Sequence, residues 1–287
     1  MSRLVLSLVL GLLVLIAGPA RAEDVWLLGS DEDEVLALAA ALRPALPPGK
    51  TMALQRLGDG AGVQCPGASL VLTVDVPSTR AALRGCPQAR VWAIGLPSMS
   101  IDAFRLDDPE RLSGLVSDQP PARQVALLNA LRPRPRQVAV PYSPIAEGQA
   151  RAAARALRAG GFQPVLLPSQ PESQPLRPLR EVLGEVQAVL ALPDPALYHE
   201  GLLKHWLLMT AREGVPMIGG LCLKDVRRGV AAAVVHSDEA AIRQTLRLLP
   251  ELLGSGPLPE IQPVDEPRVV HNPVMLDRLG LRLVEGG

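Results

Sequence analysis

The stretch 188–220 constrains the fold of this chain more than any other, because it contains a strand, a helix and a second strand in succession. Residues 188–192 form a continuous apolar run, which is typical of a parallel strand covered by helices on both faces. Apolar residues then recur at helical spacing over 202–210, and Gly214 ends this predicted helix. Residues 215–218 predict the next strand. The stretch is therefore a βαβ unit, which builds a parallel sheet through a right-handed crossover.

Strands and helices of this kind fall into two groups along the chain. The first group has predicted strands at 25–28, 51–57, 70–74 and 91–94, helices at 33–42 and 79–83, and an extended segment at 112–117. The proline-containing sequence 118–121 is a stiff break. Beyond it, predicted strands at 137–140, 164–167, 188–192 and 215–218 alternate with helices. The pattern predicts an α/β protein with two parallel-sheet lobes.

The remaining C-terminal segments complete these lobes. A helix over about 239–253 follows Ser237, and a strand at 268–271 precedes a short helix at 273–279. We assign 23–117 plus about 233–256 to the N-terminal lobe. The C-terminal lobe is expected to comprise 118–232 plus about 257–287.

Composition excludes several classes of function. The chain has 287 residues, 48% of them hydrophobic, and a formal net charge of +0, so no basic surface for nucleic acid is indicated. Only 2% of the residues are aromatic, which leaves few platforms for stacking bases.

The first 22 residues read as a cleavable signal peptide. A positive start at Arg3 precedes an apolar run over 4–17, and Ala20-Arg21-Ala22 is a small-x-small cleavage site. The alternative is a membrane anchor, but the run is shorter than the about 20 residues that a span needs. No cysteine follows the cleavage point, so we expect a periplasmic protein without a lipid anchor.

Export permits disulfide bonds. Cys65 and Cys86 each precede a predicted strand, and parallel strands would bring both thiols to the same end of the sheet. A Cys65–Cys86 bond is therefore expected, with three unpaired thiols as the alternative. Cys222 is then the odd cysteine, and we expect it to be buried or shielded.

Several ordered segments carry a family resemblance, and they span residues 112–283. They are RLSGLVSDQPPARQVALLNALRPRPRQVAVPYSP, ALPDPALYHE, GVPMIGG, RRGVAAAVVHSDEAAIRQ and PRVVHNPVMLDRLGLRL. Together they resemble the ABC-transporter substrate-binding protein family that includes tryptophan- and tyrosine-type periplasmic binding proteins. The resemblance implies a type I periplasmic binding protein-like clamshell, in which two Rossmann-like parallel-sheet lobes are joined by hinge crossings. The N-terminal lobe diverges from the family pattern at 29–33 and 95–98.

Motifs for covalent or metal chemistry are weak. The glycines at 58, 60 and 62 lack the lysine and spacing of a phosphate-binding loop. His199 and His205 are six residues apart and face different sides of a helix, which argues against a shared metal. No G-x-S-x-G elbow is present. We therefore expect no enzyme activity, no metal and no cofactor.

Polar residues at the predicted strand ends are candidates for noncovalent binding, because ligands of open parallel sheets lie beyond the carboxyl ends of the strands. Hydroxyl groups and helix N-termini can bind a ligand carboxylate, and Asp194 could bind an ammonium group. Helix capping is the alternative role, and it is favoured for Ser78 and Ser237. Trp206 is expected in the core. The candidate ligand-binding residues are Ser30, Asp31, Asp75, Ser78, Ser98, Tyr142, Ser143, Asp194, Tyr198 and Gly220.

Two functions remain open on the sequence. The first is an exported solute-binding protein that takes a small, possibly amino acid-like molecule into the cleft and docks on an ABC permease. The alternative is a ligand-free or sensory module of the cell envelope with the same fold. Apolar side chains at Leu96, Pro97 and Met99 would favour the alternative if they filled the cleft.

Overall fold

The computed structural model describes residues 24–58, 62–219 and 222–284. The predicted signal peptide lies outside these ranges. The strands, in chain order, are β1 (Val25–Gly29), β2 (Met52–Arg56), β3 (Leu70–Thr73), β4 (Arg90–Leu96), β5 (Leu112–Val116), β6 (Leu131–Arg132), β7 (Gln137–Tyr142), β8 (Gln163–Pro168), β9 (Ala188–Ala191), β10 (Met217–Gly219), β11 (Ala232–Val235), β12 (Gln262–Pro263), β13 (Arg268–His271) and β14 (Arg282–Leu283).

The α-helices alternate with these strands. They are α1 (Glu32–Leu42), α2 (Val76–Gly85), α3 (Ser98–Arg105), α4 (Pro121–Ala130), α5 (Glu147–Ala159), α6 (Arg177–Val182), α7 (Glu200–Arg212), α8 (Leu223–Arg228), α9 (Asp238–Leu253) and α10 (Pro273–Arg278). Short 3-10 helices cover Arg43–Ala45 and Pro144–Ala146. Among the described residues, no helix combines the length and apolar character needed to cross a membrane.

Two six-stranded sheets form the framework. The first has the order β12-β5-β4-β3-β1-β2, and all of its described pairings are parallel. The second has the order β13-β11-β10-β9-β7-β8 and is parallel except for the edge strand β13. The two orders correspond strand by strand, so β1 and β3 in the first sheet match β7 and β9 in the second. The predicted α/β architecture with two parallel-sheet lobes is confirmed.

Each sheet is covered on both faces, as its apolar strands require. Neighbouring residues alternate between the faces: Leu27 packs toward α1 and α9, whereas Leu28 packs against residues of α2 and α3 on the opposite side. The second sheet shows the same arrangement, with α4 and α5 on one face and α6, α7 and α8 on the other. Trp206 is fully buried in this second core, as expected.

Three chain crossings connect the two sheets. They lie between β5 and α4, between β11 and α9, and between β12 and β13. Helix α9 packs on β4, and Gln262 of β12 pairs with Leu115 of the first sheet. We therefore propose a lobe assignment that places the second crossing at 236–237 and the third at 265–267.

The βαβ unit that we predicted at 188–220 is present as β9, α7 and β10. Two helices of the first lobe differ from the prediction. Helix α2 begins at Val76 rather than at residue 79, because the Asp75 side chain caps it. Helix α3 was not predicted, since Pro97 precedes it and no side chain caps its start.

The cysteines confirm one expectation and correct another. Cys65 and Cys86 form a disulfide bond with an S–S distance of 2.09 Å. Cys222, which we expected to be buried or shielded, is exposed. It directly precedes α8, and its Sγ lies 3.1 Å from Asp225 Oδ2.

Candidate functional site

Asp75 connects two loops at the carboxyl end of the first sheet. Its Oδ2 accepts a hydrogen bond of 2.6 Å from the backbone N–H of Ser30, which directly follows β1. Its Oδ1 accepts another of 2.6 Å from the N–H of Ser78, and Ser78 Oγ accepts one from the Asp75 N–H. This reciprocal pair is a capping box for α2. The structure therefore brings three predicted residues together, with the carboxylate bound to backbone groups.

Asp194 makes the equivalent connection in the second sheet. The residue is only 1% exposed. Its Oδ2 accepts a 2.7 Å hydrogen bond from the N–H of Ser143, which follows β7, and its Oδ1 accepts one of 3.0 Å from the N–H of Ala196. Buried carboxylates need such partners, because an unpaired buried charge is strongly unfavourable. The ammonium-binding role of Asp194 remains a prediction, since the carboxylate bonds that the structure shows are to backbone groups.

Asp75 and Asp194 are counterparts, because β3 and β9 occupy the same place in their sheets. In each lobe the aspartate accepts an N–H from the serine after the neighbouring strand. The two lobes therefore position their strand-end loops by one shared arrangement, although the chain shows no evident internal sequence repeat.

The remaining predicted residues of the second lobe lie around this connection. Tyr142 is partly buried and packs against the core beneath α5. Tyr198 is 8% exposed, and its ring centroid lies 5.5 Å from that of Trp206. Burial and the negative charge of Asp194 raise the pKa of the Tyr198 hydroxyl well above its ordinary value. Gly220 lies outside the described residues.

A cluster of carboxylates marks the edge of the first lobe. Asp31 caps α1 by accepting the N–H of Glu34 at 3.2 Å. Partial desolvation, followed by the negative charges of Asp238, Asp75 and Asp31, raises the pKa of Glu34 to about 7. Within the described ranges, no group of three histidine, cysteine, aspartate or glutamate side chains is arranged to hold a metal ion.

Ser98 joins the two lobes directly. Its backbone N–H and its hydroxyl donate to the two carboxylate oxygens of Asp118, each at 2.6 Å. Gln149, on α5 of the second lobe, donates from Nε2 to Ser98 Oγ at 2.8 Å. Asp118 belongs to the first chain crossing. A series of hydrogen bonds therefore connects Gln149 in the second lobe, Ser98 in the first lobe and Asp118 in the crossing.

A cavity of about 220 Å³ lies beside this chain of hydrogen bonds. It opens at the carboxyl end of β9, between α4 and α5. Its lining combines the polar groups of the crossing with apolar side chains: Ser98, Asp118, Gln119, Pro121, Gln124, Gln149, Ala152, Ala153, Leu190, Ala191, Leu192 and Pro193. This is the position at which open parallel sheets bind ligands.

Two of the three apolar residues that could have filled the cleft are buried. Leu96 is 1% exposed and Met99 is 9% exposed. Leu96 packs in the core of the first lobe with residues of α2 and α3. Only Pro97 is partly exposed at the start of α3.

The sequence interpretation missed Asp118 and Gln149. Asp118 was read only as part of a stiff break, although it follows a strand end as the other candidates do. Gln149 lies in the first turn of α5, directly after a loop that we did single out. Its role depends on a contact with the other lobe, which local sequence patterns do not report.

Solved structures provide the comparison with known proteins. A ligand-free, open structure of CD0873, a substrate-binding protein with adhesive properties from Clostridium difficile, is 13% identical, with a TM-score of 0.66 over 92% of this chain and 96% of that chain. An ABC domain from Streptococcus pneumonia in complex with L-Trp is also 13% identical, with a TM-score of 0.63 over 92% and 96%. A conserved domain protein from Vibrio cholerae is 15% identical, with a TM-score of 0.64 over 92% and 97%.

No protein-family model and no curated protein matches the sequence. The structural matches show the fold, which is that of type I periplasmic binding proteins and of ABC-transporter substrate-binding proteins. The resemblance seen in the sequence is confirmed at this level.

Proposed function

We propose that this chain is an exported solute-binding protein of an ABC-type uptake system, which binds a small molecule between its two lobes. The observation that carries the proposal is the cavity at the lobe boundary, where Gln149 of one lobe is hydrogen-bonded to Ser98 of the other. Cavities at the carboxyl ends of parallel strands are the usual ligand positions in this architecture.

Binding in this proposal shifts an equilibrium between open and closed arrangements of the lobes. Three chain crossings act as the hinge, and closure brings Gln149 to Ser98. A ligand that contacts both lobes favours the closed arrangement in proportion to its differential affinity. The closed form then presents one surface to a permease, and no covalent chemistry is required.

Localisation in the periplasm belongs to the same proposal. The predicted signal peptide at 1–22 and the Cys65–Cys86 disulfide both support export, since structural disulfides persist in oxidising compartments.

Thermal unfolding of the mature protein against amino acids, including L-tryptophan, small acids, sugars and nucleosides tests the proposal. A ligand at about 100 times its dissociation constant stabilises the folded state by about 2.7 kcal/mol. Ala152→Phe places an aromatic ring at the cavity and should abolish the effect of the ligand. Ala159→Phe, at an exposed position of the same helix, is the matched control and should keep it. Equal ligand effects in both variants would place the site elsewhere.

The interaction module is retained as a second candidate because of one surface feature. Ile145 is 66% exposed in the 3-10 helix directly after β7, at the strand-end side of the second lobe. A large apolar side chain there suits contact with another protein. A well-folded protein that responds to no compound of the panel would favour this candidate over solute binding.

A further inference from the structure

The hydrogen bonds of Ser98 determine how the Gln149 amide is oriented. Ser98 Oγ donates its single proton to Asp118 Oδ2 at 2.6 Å. Ser98 Oγ must therefore accept from Gln149, and the group that it faces is the Nε2 amide at 2.8 Å. The amide oxygen of Gln149 consequently points away from Ser98.

That oxygen is a buried acceptor without a partner. Gln149 Oε1 has no hydrogen-bond partner within the described part of the chain, and it is shielded from solvent. Leaving a buried carbonyl oxygen unpaired is unfavourable, so a partner in the cavity would stabilise this arrangement.

The other amide side chains of the cavity are already engaged. Gln119 donates to Val264 O at 3.3 Å and accepts from Arg123. Gln124 donates to Val234 O at 3.2 Å and accepts from the N–H of Val234 at 3.3 Å. Gln149 is thus the cavity-lining amide whose acceptor oxygen lacks a partner among the described residues.

Charge and size limit what can bind. The described lining contains one carboxylate, Asp118, and no lysine, arginine or histidine, so a negatively charged ligand would find no countercharge there. The volume of about 220 Å³ is below the about 300–1,000 Å³ of pockets that hold drug-sized ligands. Alanine and leucine side chains supply the remaining wall, which suits a short apolar body.

We propose that this cavity binds a small molecule with a short apolar body and a hydrogen-bond-donating head group without negative charge, and that Gln149 Oε1 accepts its hydrogen bond. The inference rests on the proposed solute-binding function and specifies its ligand class. A donor on Oε1 also polarises the amide and strengthens the Nε2–H bond to Ser98. One side chain therefore couples occupation of the cavity to contact between the lobes.

Four molecules with the same carbon chain test the head group: butyramide, 1-butanol, butylammonium and butyrate. Titration calorimetry with the mature protein should show binding of donor-bearing molecules at millimolar concentrations and no binding of butyrate. Gln149→Ala and the similarly sized Gln149→Leu should each weaken that binding about tenfold, the loss of one hydrogen bond. Arg155→Ala, on an exposed face of the same helix, should leave it unchanged.

Three results would overturn the inference: butyrate binding as tightly as butyramide, unchanged affinity in a folded Gln149 variant, or no binding by any of the four. The broader amino acid and sugar panel separates this failure from that of the proposed function. If a ligand from that panel binds with the same affinity to the Gln149 variants, only the inference is wrong. If no compound binds in either experiment, solute binding is contradicted as well.

Discussion

Asp194 shows how a single buried carboxylate can organise a loop. It accepts N–H groups from two segments, at Ser143 and Ala196, and is itself 1% exposed. Asp194→Ala leaves these donors without their partner, and each unpaired buried group costs about 1–3 kcal/mol. We expect a loss of about 2–6 kcal/mol in the free energy of unfolding for the two donors together, measured by urea denaturation. Asp277→Ala, at an exposed position of α10, should change stability little.

Glu34 makes the free energy of unfolding depend on pH. Its folded-state pKa is raised from 4.5 to about 7, so the folded state binds the proton more tightly than the unfolded state. Its contribution is complete below pH about 4.5, declines as the pH rises toward about 7, and is then lost. We expect Glu34→Gln to be more stable than the wild-type protein at about pH 8 and equally stable below pH about 4.5.

Urea midpoints at the two pH values measure this difference. Glu172→Gln, which changes an exposed carboxylate in a turn of the second lobe, is the control. A Glu34→Gln midpoint shift of the same size at both pH values would contradict the titration argument.

The close packing of strand β5 against β4 depends on a glycine. A Cβ added at Gly114 would lie 2.2 Å from the carbonyl oxygen of Ala93, its partner in β4. The strands must move apart to admit it, so Gly114→Ala should destabilise the fold by about 1–3 kcal/mol. A Cβ at Gly184 has no neighbouring heavy atom within 4 Å, and Gly184→Ala should be nearly neutral. Equal thermal midpoints for the two variants would argue against close packing at Gly114.

Elements were predictable from the sequence where local pattern and tertiary role agree. The strand expected at 268–271 matches β13, and the apolar run at 188–192 matches β9 within one residue. The two-residue strand β12 was missed because its pairing with β5 is supplied by the partner strand rather than by its own pattern.

The candidate site was only partly predictable, because some of its contacts depend on a partner in a distant part of the chain. Strand-end chemistry led to Ser30, Asp75, Ser143 and Asp194, which the structure joins in two matched pairs. It did not lead to Gln149, whose partner Ser98 lies in the other lobe.

The disulfide bond has an effect at the scale of the whole molecule, because it constrains one lobe only. Cys65 and Cys86 are 21 residues apart and both lie in the first lobe. Closing a loop of this size stabilises by about 3 kcal/mol in the chain-entropy model. In the Cys65→Ser, Cys86→Ser variant, amide hydrogen exchange should accelerate in β3 and β4 and remain slow in β7 and β9. Equal acceleration in both sheets would show instead that the lobes unfold as one unit.

The three crossings between the sheets determine what happens when the backbone is cut. A protease that cleaves at 117–120 severs one connection and leaves two others intact. The cut produces two polypeptides, but α9 and β12 of the C-terminal one remain packed on β4 and β5 of the other. While folded, the nicked molecule should therefore elute from a sizing column with the uncut protein. Under denaturing conditions the same sample should separate into two fragments, because the Cys65–Cys86 bond lies within the N-terminal one.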